Sequence, residues 1–248
     1  MARKNLGDVL HYFIPEDEQS EARARTAPEP GTSAPAGPAP RVCLPASPDR
    51  LLWCALALEL AGALAAERGC ARVEASFPTS ALLPEVPGVE LRAGERPPAA
   101  LASALAAVPS EEPALALERP ERVPELLARA GRGLDALLLP FDASPAGVAR
   151  ALRMLRELAP ALAGVRVCAW VVGASTALEA TELGERLAAA ARRQHGLAIE
   201  VAPALPRDPA LFRALLRGES LHASDDGSGA GARELRALSR SLSPRRAA

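Results

Sequence analysis

The chain has 248 residues and an apolar fraction of 49%, which is enough for one sizeable folded domain with a core. Its formal net charge of -1 excludes a global electrostatic attraction to nucleic acid or to an anionic membrane. Aromatic residues make up only 3% of the chain, which argues against stacking platforms for single-stranded nucleic acid.

Residues 1–15 predict a short amphipathic helix that binds a protein partner. Apolar side chains recur there at helical spacing, and Pro15 ends the pattern. With the neighbouring tyrosine, the predicted partner-binding residues are Leu6, Val9, Leu10, Tyr12, Phe13 and Ile14. The acidic residues that follow disfavour a membrane anchor, because anionic lipid would repel them. An alternative is that this helix folds back onto its own domain and covers an apolar patch.

Residues 16–40 predict a flexible linker. The segment is acidic at first and then dense in Pro, Ala, Gly, Ser and Thr, a composition that cannot bury a core. We therefore divide the chain into a peptide (1–15), a linker (16–40) and a folded domain (41–248).

From residue 41 onward, short apolar runs alternate with longer helical stretches, which is the pattern of βαβ units. The predicted strands are residues 41–44, 71–76, 89–92, 114–118, 134–139, 165–172 and 197–201. The predicted helices are residues 48–68, 99–107, 121–130, 145–158, 176–195, 208–217 and 233–242. Right-handed crossovers then give an α/β fold with helix–sheet–helix layers and a mainly parallel sheet of roughly six or more strands.

Two of these strands, 134–139 and 165–172, are almost continuous apolar runs, which indicates central strands covered on both faces. Ser144 and Pro145 open the helix between them as an N-cap residue and a first-turn proline.

The cysteines and the hydropathy profile indicate a cytoplasmic protein without an integral membrane segment. No C-x-x-C pair or zinc-ligand set occurs, so we expect no metal site. Cys43, Cys54, Cys70 and Cys168 are predicted to be small core residues in a reducing compartment. The longest apolar run, residues 51–66, contains Glu59 and is shorter than the ~20 residues of a membrane span. No apolar signal segment follows the first basic residues.

Residues 133–242 resemble the C-terminal half of the MinD/ParA-type deviant-Walker P-loop ATPases. The stretch GLDALLLPFDASPAGVARALRMLREL is similar to the family's strand and helix after the switch regions, and VRVCAWVVGAS is similar to its next strand. The ending GLAIEVAPALPRDPALFRALLRGES resembles its short strand, proline–aspartate turn and helix. Upstream, LALELAGALAAERG looks like the helix after the phosphate-binding loop. The resemblance implies a doubly wound, P-loop NTPase-like fold.

The phosphate-binding loop departs from the pattern of that family. Such a loop needs glycines, a lysine for the β- and γ-phosphates and a Ser or Thr hydroxyl for magnesium. The matching stretch PASPDRLLWCA has no glycine, and its residues at these positions are Pro48, Asp49, Arg50, Leu52 and Trp53. Lys4 and Asn5 are the only lysine and the only asparagine of the chain. The phosphate lysine and the adenine-reading asparagine that the resemblance would imply are therefore missing.

Three further groups of polar residues have structural interpretations that we prefer. Asp135 and Asp142 bracket a predicted strand and could form a carboxylate pair, but N-cap or turn roles explain them. The glycine-rich run 225–231 begins with two aspartates, which disfavours an anion site and indicates a link between helices. His195 ends a predicted helix, where the helix dipole favours a cation.

These observations favour a non-catalytic, MinD/ParA-like pseudo-ATPase without a cofactor, acting as a protein-binding or regulatory scaffold in cellular positioning or polarity. We expect protein partners at the N-terminal peptide, at the dimer face that the resemblance implies, or at both, with a homodimer as one form. The competing hypothesis is an ATPase or GTPase of the same fold with a non-standard phosphate loop, in which Arg50 contacts a phosphate.

Overall fold

A parallel β-sheet forms the middle layer of the structure. The computed structural model describes residues 37–46, 51–81, 83–162, 164–221 and 230–243. In chain order the strands are β1 (Arg41–Pro45), β2 (Ala71–Ala75), β3 (Val89–Ala93), β4 (Ala114–Glu118), β5 (Ala136–Asp142), β6 (Arg166–Ala174), β7 (Ile199–Val201) and β8 (Leu205–Pro206). They follow the order β3-β2-β4-β1-β5-β6-β7, and β8 also pairs with β6. Every pairing is parallel, which confirms the predicted sheet.

Helices cover both faces of this sheet, which confirms the predicted three-layer α/β fold. They are α1 (Leu51–Arg68), α2 (Pro98–Ala106), α3 (Val123–Ala130), α4 (Pro145–Leu158), α5 (Ala177–His195), α6 (Pro209–Leu216) and α7 (Ala230–Leu242). One face packs against α1, α6 and α7, and the other against α2, α3, α4 and α5. Within the described residues, no helix is both long enough and apolar enough to cross a membrane.

The sequence patterns located most elements to within a few residues. The predicted N-cap is confirmed, because the Gly147 amide donates to Ser144 Oγ at 3.0 Å. β5 starts later than predicted and continues through Pro140 to Asp142, in register with β6. β8 was not predicted, because two residues are too few to show a strand period.

The cysteine prediction is correct at three positions and wrong at one. Cys43, Cys54 and Cys168 are buried, whereas Cys70 is exposed. Cys70 follows Gly69, whose φ of 90° turns the chain away from the end of α1 before β2 begins. The turn between helix and strand lies at the surface, so its residues do not join the core.

Helix α1 is buried over most of its length, and it carries a buried carboxyl group. All twelve residues from Cys54 to Ala65 are buried, because the sheet lies on one side of α1 and the helices α6 and α7 lie on the other. Glu59 is 0% exposed, and its Oε1 accepts the Leu221 amide at 3.1 Å. Burial raises the pKa of Glu59 to about 7, although the bonds from Leu221 and Ser220 act in the opposite direction.

We therefore expect the stability of the fold to decrease as the pH rises from about 5 to 8. The pKa of Glu59 is higher in the folded chain than the ordinary value of 4.5, so the protonated carboxyl favours the folded state. This contribution to stability is complete below about pH 4.5 and is lost as the pH rises through about 7. Melting temperatures measured at pH 5 and pH 8 should differ less in Glu59→Gln than in the wild type. The exposed Glu125→Gln variant is the control and should behave like the wild type. An unchanged difference in Glu59→Gln would contradict this assignment.

Candidate functional site

The carboxyl ends of β1, β4 and β5 form a crevice in the middle of the sheet. β1 lies between β4 and β5, and the helices that follow β1 and β4, α1 and α3, cover opposite faces. Open α/β sheets bind ligands at such a reversal, beyond the strand ends. The segment compared with a phosphate loop starts here, where the Ala46 amide donates to the Glu118 carbonyl oxygen at 2.9 Å. The predicted residues Pro48, Asp49 and Arg50 lie outside the described residues.

Leu52 and Trp53 lie in the first turn of α1, next to this crevice. The Trp53 side chain lines two adjoining cavities, and Asp142 at the end of β5 lines the same two. The structure therefore brings together two positions, Trp53 and Asp142, that are 89 residues apart in the chain.

The two cavities differ in size and in the cations at their walls. The first, of about 250 Å³, lies between β5 and α4, and its wall includes Phe141, Arg150 and Met154. The second, of about 510 Å³, has aromatic walls from Trp53 and Phe212 and includes Arg207. No carboxylate of the described residues forms a salt bridge with Arg207. The larger cavity has the volume of a small-molecule site.

The Asp142 carboxylate accepts hydrogen bonds from two side chains at the start of the chain segment that follows β5. Its Oδ1 accepts the Ser144 hydroxyl, and its Oδ2 accepts the Arg150 guanidinium. Asp135 lies at the other end of β5, where its carboxylate accepts the Arg41 amide at 2.8 Å. Asp135 directly precedes the seven-residue strand β5 and Asp142 is its last residue, so the two lie roughly 23 Å apart along the strand and do not form a carboxylate pair. Asp135 holds the backbone at the start of β1, whereas Asp142 holds the side chains of Ser144 and Arg150.

Glu118, at the carboxyl end of β4, is a buried acid beside the crevice. Its side chain is 0% exposed, and Oε1 accepts the Ser76 hydroxyl and the Arg119 amide, the latter at 2.9 Å. Arg122 Nε lies 3.8 Å from the same oxygen. Burial, and secondarily the charge of Glu118, raises the pKa of the Cys43 thiol on β1. The thiol therefore stays protonated and is not a nucleophile.

Glu74, on β2, is the second buried acid at this end of the sheet. Its Oε2 accepts Arg96 Nη1 at 2.8 Å, and the Arg96 amide donates to the Ser76 carbonyl oxygen at 3.1 Å. One oxygen of Glu74 and one of Glu118 are buried without a hydrogen-bond donor among the described residues. The free-energy cost of burying each carboxylate is therefore offset by only a few hydrogen-bond donors of the protein.

Sequence reasoning did not identify Glu74 and Glu118 as a site. Glu118 ends the otherwise apolar strand ALALE, and that contrast was the available signal. Glu74 lies in ARVEA, where Arg72 weakens the same contrast. Their proximity through Ser76 could not be predicted, because it depends on β2 pairing with β4 instead of β1. Within the described residues, no group of three or more His, Cys, Asp or Glu could hold a metal ion.

His195 is described by the structure and does not line the crevice. α5 ends at His195, as predicted, on the surface formed with α4. The six partner-binding residues of the N-terminal peptide and the first five residues of the run 225–231 lie outside the described residues.

The fold is similar to that of MinD and ParA ATPases of known structure. A chain of the MinC:MinD cell division protein complex of Aquifex aeolicus superposes with a TM-score of 0.59 at 12% identity, covering 82% of this chain and 95% of that chain. The cell division ATPase MinD of Pyrococcus furiosus gives a TM-score of 0.58 at 10% identity, covering 82% and 98%. A ParA family ATPase of Chlorobium tepidum TLS gives 0.54 at 14% identity, with the same coverage.

At these identities the likeness establishes the fold, which is the MinD/ParA fold expected from the resemblance. No protein-family model matches the sequence, and no curated protein matches it.

Proposed function

We propose that this chain is a non-catalytic, MinD/ParA-like pseudo-ATPase that acts as a protein-binding or regulatory scaffold in cellular positioning or polarity. The observation that carries this proposal is Trp53, a large aromatic residue in the first turn of α1 at the crevice. A phosphate loop needs a Ser or Thr hydroxyl near this point. The chain also has no glycine between Gly37 and Gly62, and its one lysine is Lys4.

The acidic side chains near the crevice support the same proposal. Glu74, Glu118 and Asp142 each accept hydrogen bonds from arginine or serine side chains of the protein itself. A protein-bound magnesium ion uses carboxylate oxygens together with waters and phosphate oxygens. Protein donors occupy both oxygens of Asp142 and one oxygen each of Glu74 and Glu118, so few carboxylate oxygens at this edge are left for a magnesium–nucleotide complex. We assign no catalytic step to these residues.

The partner contact is assigned to residues 1–15, tethered by residues 16–40 to the domain of residues 41–248. Burying one large apolar side chain contributes ~1.5–3 kcal/mol. Leu10, Phe13 and Ile14 together would then sustain a contact of roughly micromolar affinity after ordering costs. Without a nucleotide to close a dimer, dimerisation of such a scaffold would be constitutive or replaced by the partner.

Partner capture from native lysate tests the proposal. We expect the immobilised full chain to retain a discrete protein to the same extent with and without added ATP. Phe13→Ala and deletion of residues 1–36 should abolish retention, whereas Asn5→Ala on the polar side of the same predicted helix should preserve it. Residues 37–40 are kept in the deletion variant, because the Ala39 amide donates to the Ser110 carbonyl oxygen at 2.7 Å and the Pro40 carbonyl oxygen accepts the Ala114 amide at 3.0 Å. The deletion should leave the melting temperature unchanged. A decrease of many degrees would instead make the peptide a structural arm of the domain and would contradict the proposal.

One observation supports a second candidate, a nucleotide-binding ATPase or GTPase with a non-standard phosphate loop. Arg207 lines the larger cavity together with Trp53 and Phe212, so that cavity offers a guanidinium for a phosphate and aromatic faces for a base. Arg50 would be a further phosphate ligand in this alternative.

A further inference from the structure

The outer edge of β3 is an open strand edge. β3 is the terminal strand of the sheet, and among the described residues only β2 pairs with it. Glu90, Leu91, Arg92 and Ala93 are all exposed, and Leu91 is one of the few large apolar residues with an exposed fraction as high as 36%. An open edge presents unpaired backbone groups and is a template for pairing with another strand.

The hydrogen-bond ladder shows which backbone groups of β3 point outward. Ala71 pairs with Val89 in the parallel register, and the Ala71 amide donates to the Gly88 carbonyl oxygen at 2.9 Å. In a parallel ladder, alternate residues of each strand bond with the neighbour. Glu90 and Arg92 therefore bond with β2, and the N–H and C=O of Leu91 point to the open side.

The sequence of β3, VELRA, is complementary to itself in antiparallel orientation. When two copies pair about Leu91, Leu91 faces Leu91 of the other copy and exchanges two hydrogen bonds with it. Glu90 then faces Arg92 of the other copy, and the reverse pair forms on the other side of the two-fold axis. These two pairs occupy the non-hydrogen-bonded positions, where side chains are closest and opposite charges stabilise most.

The charges around this edge are compatible with such pairing. Within one chain, Glu90 Oε1 accepts Arg92 Nε at 2.7 Å, and Arg72 Nη2 lies 3.2 Å from Glu90 Oε2. In the antiparallel pair, Arg92 of the other copy would lie beside Glu90. Positive and negative side chains then alternate across the joined strands, and no like charges face each other. Charged side chains on an edge strand usually oppose pairing. At this edge, however, the antiparallel register places each Glu90 opposite an Arg92 of the other copy, so the charges attract.

We propose that β3 is a homodimer interface, in which a second copy of this chain pairs antiparallel about Leu91 and joins the two sheets into one. A pair of five-residue strands buries less than the roughly 1,200 Å² of a stable interface, so the dimer is expected to be weak, with a dissociation constant of about 10–100 μM. This inference goes beyond the proposed scaffold function and does not depend on the nucleotide-binding state of the crevice.

Sedimentation equilibrium of the full chain between about 5 and 500 μM tests the interface. We expect a concentration-dependent dimer in the wild type. Arg92→Glu should weaken it at least roughly tenfold, because Glu90 would then face a glutamate of the other copy on both sides of the axis. The double exchange Glu90→Arg with Arg92→Glu should restore wild-type dimerisation, because it reverses the pattern and keeps it complementary. Circular dichroism and melting curves verify that each variant is folded.

A disulfide experiment determines the register independently. In a Cys70→Ser background, which removes the exposed native thiol, Leu91→Cys should form an intermolecular disulfide, because paired residues at this position are about 5.5 Å apart between Cα atoms. Glu90→Cys should not crosslink, since residue 90 faces residue 92. A wild-type chain that stays monomeric at 500 μM, or a dimer unaffected by Arg92→Glu, would overturn the proposal; the latter result would place the dimer contact elsewhere.

Discussion

Titration of the purified full chain with Mg-ATP or Mg-GTP is expected to show no binding tighter than ~100 μM, which corresponds to about -5.5 kcal/mol. The chain has no lysine in its domain and no glycine at the loop, so a phosphate would lose its charge-assisted contact, worth ~1.5–3 kcal/mol, and its backbone amides. Calorimetry measures the affinity directly. Tryptophan fluorescence gives a second readout, because Trp53 lines both cavities of the crevice.

The matched variant for this titration is Arg207→Ala. If calorimetry finds a dissociation constant below ~100 μM, the pseudo-ATPase proposal fails. A loss of that binding in Arg207→Ala would then support the alternative, in which the larger cavity holds the nucleotide. Absence of binding in both proteins agrees with the proposal and leaves partner capture as the next test.

Arg96→Met is expected to lower the free energy of unfolding by ~2–3 kcal/mol. The substitution leaves Glu74, which is 0% exposed, without its guanidinium partner. The expected loss is below the ~3–5 kcal/mol of a fully buried pair, because Arg96 is 26% exposed and solvent screens part of the interaction. Urea denaturation followed by circular dichroism measures the change.

Two further variants separate the buried pair from the surface. Arg92→Met removes an arginine whose partner Glu90 is 49% exposed, so its effect on the free energy of unfolding should be much smaller than that of Arg96→Met. The double variant Glu74→Leu with Arg96→Met should recover most of the lost stability, because it removes both buried charges together. An equal loss in Arg92→Met and Arg96→Met would show that the Glu74 pair is not a structural ion pair.

The sequence by itself determined the class of fold. The alternation of apolar runs and helical stretches predicted the parallel sheet, because strand and helix periodicities are local properties of the chain. The single lysine and the glycine-free loop are also local facts, and they are the basis for expecting a scaffold instead of an ATPase. The predicted strand 134–139 located the carboxyl end of β5 to within three residues, and the structure places that end at Asp142.

Only the tertiary structure decided which distant residues meet. Glu118 contacts Ser76 because β4 lies beside β2 in the sheet, and Trp53 shares two cavities with Asp142 because α1 starts next to the end of β5. The open edge at β3 likewise follows from strand order. Strand order depends on the packing of whole layers, and the free-energy differences between alternative orders are spread over many weak contacts that no local pattern records.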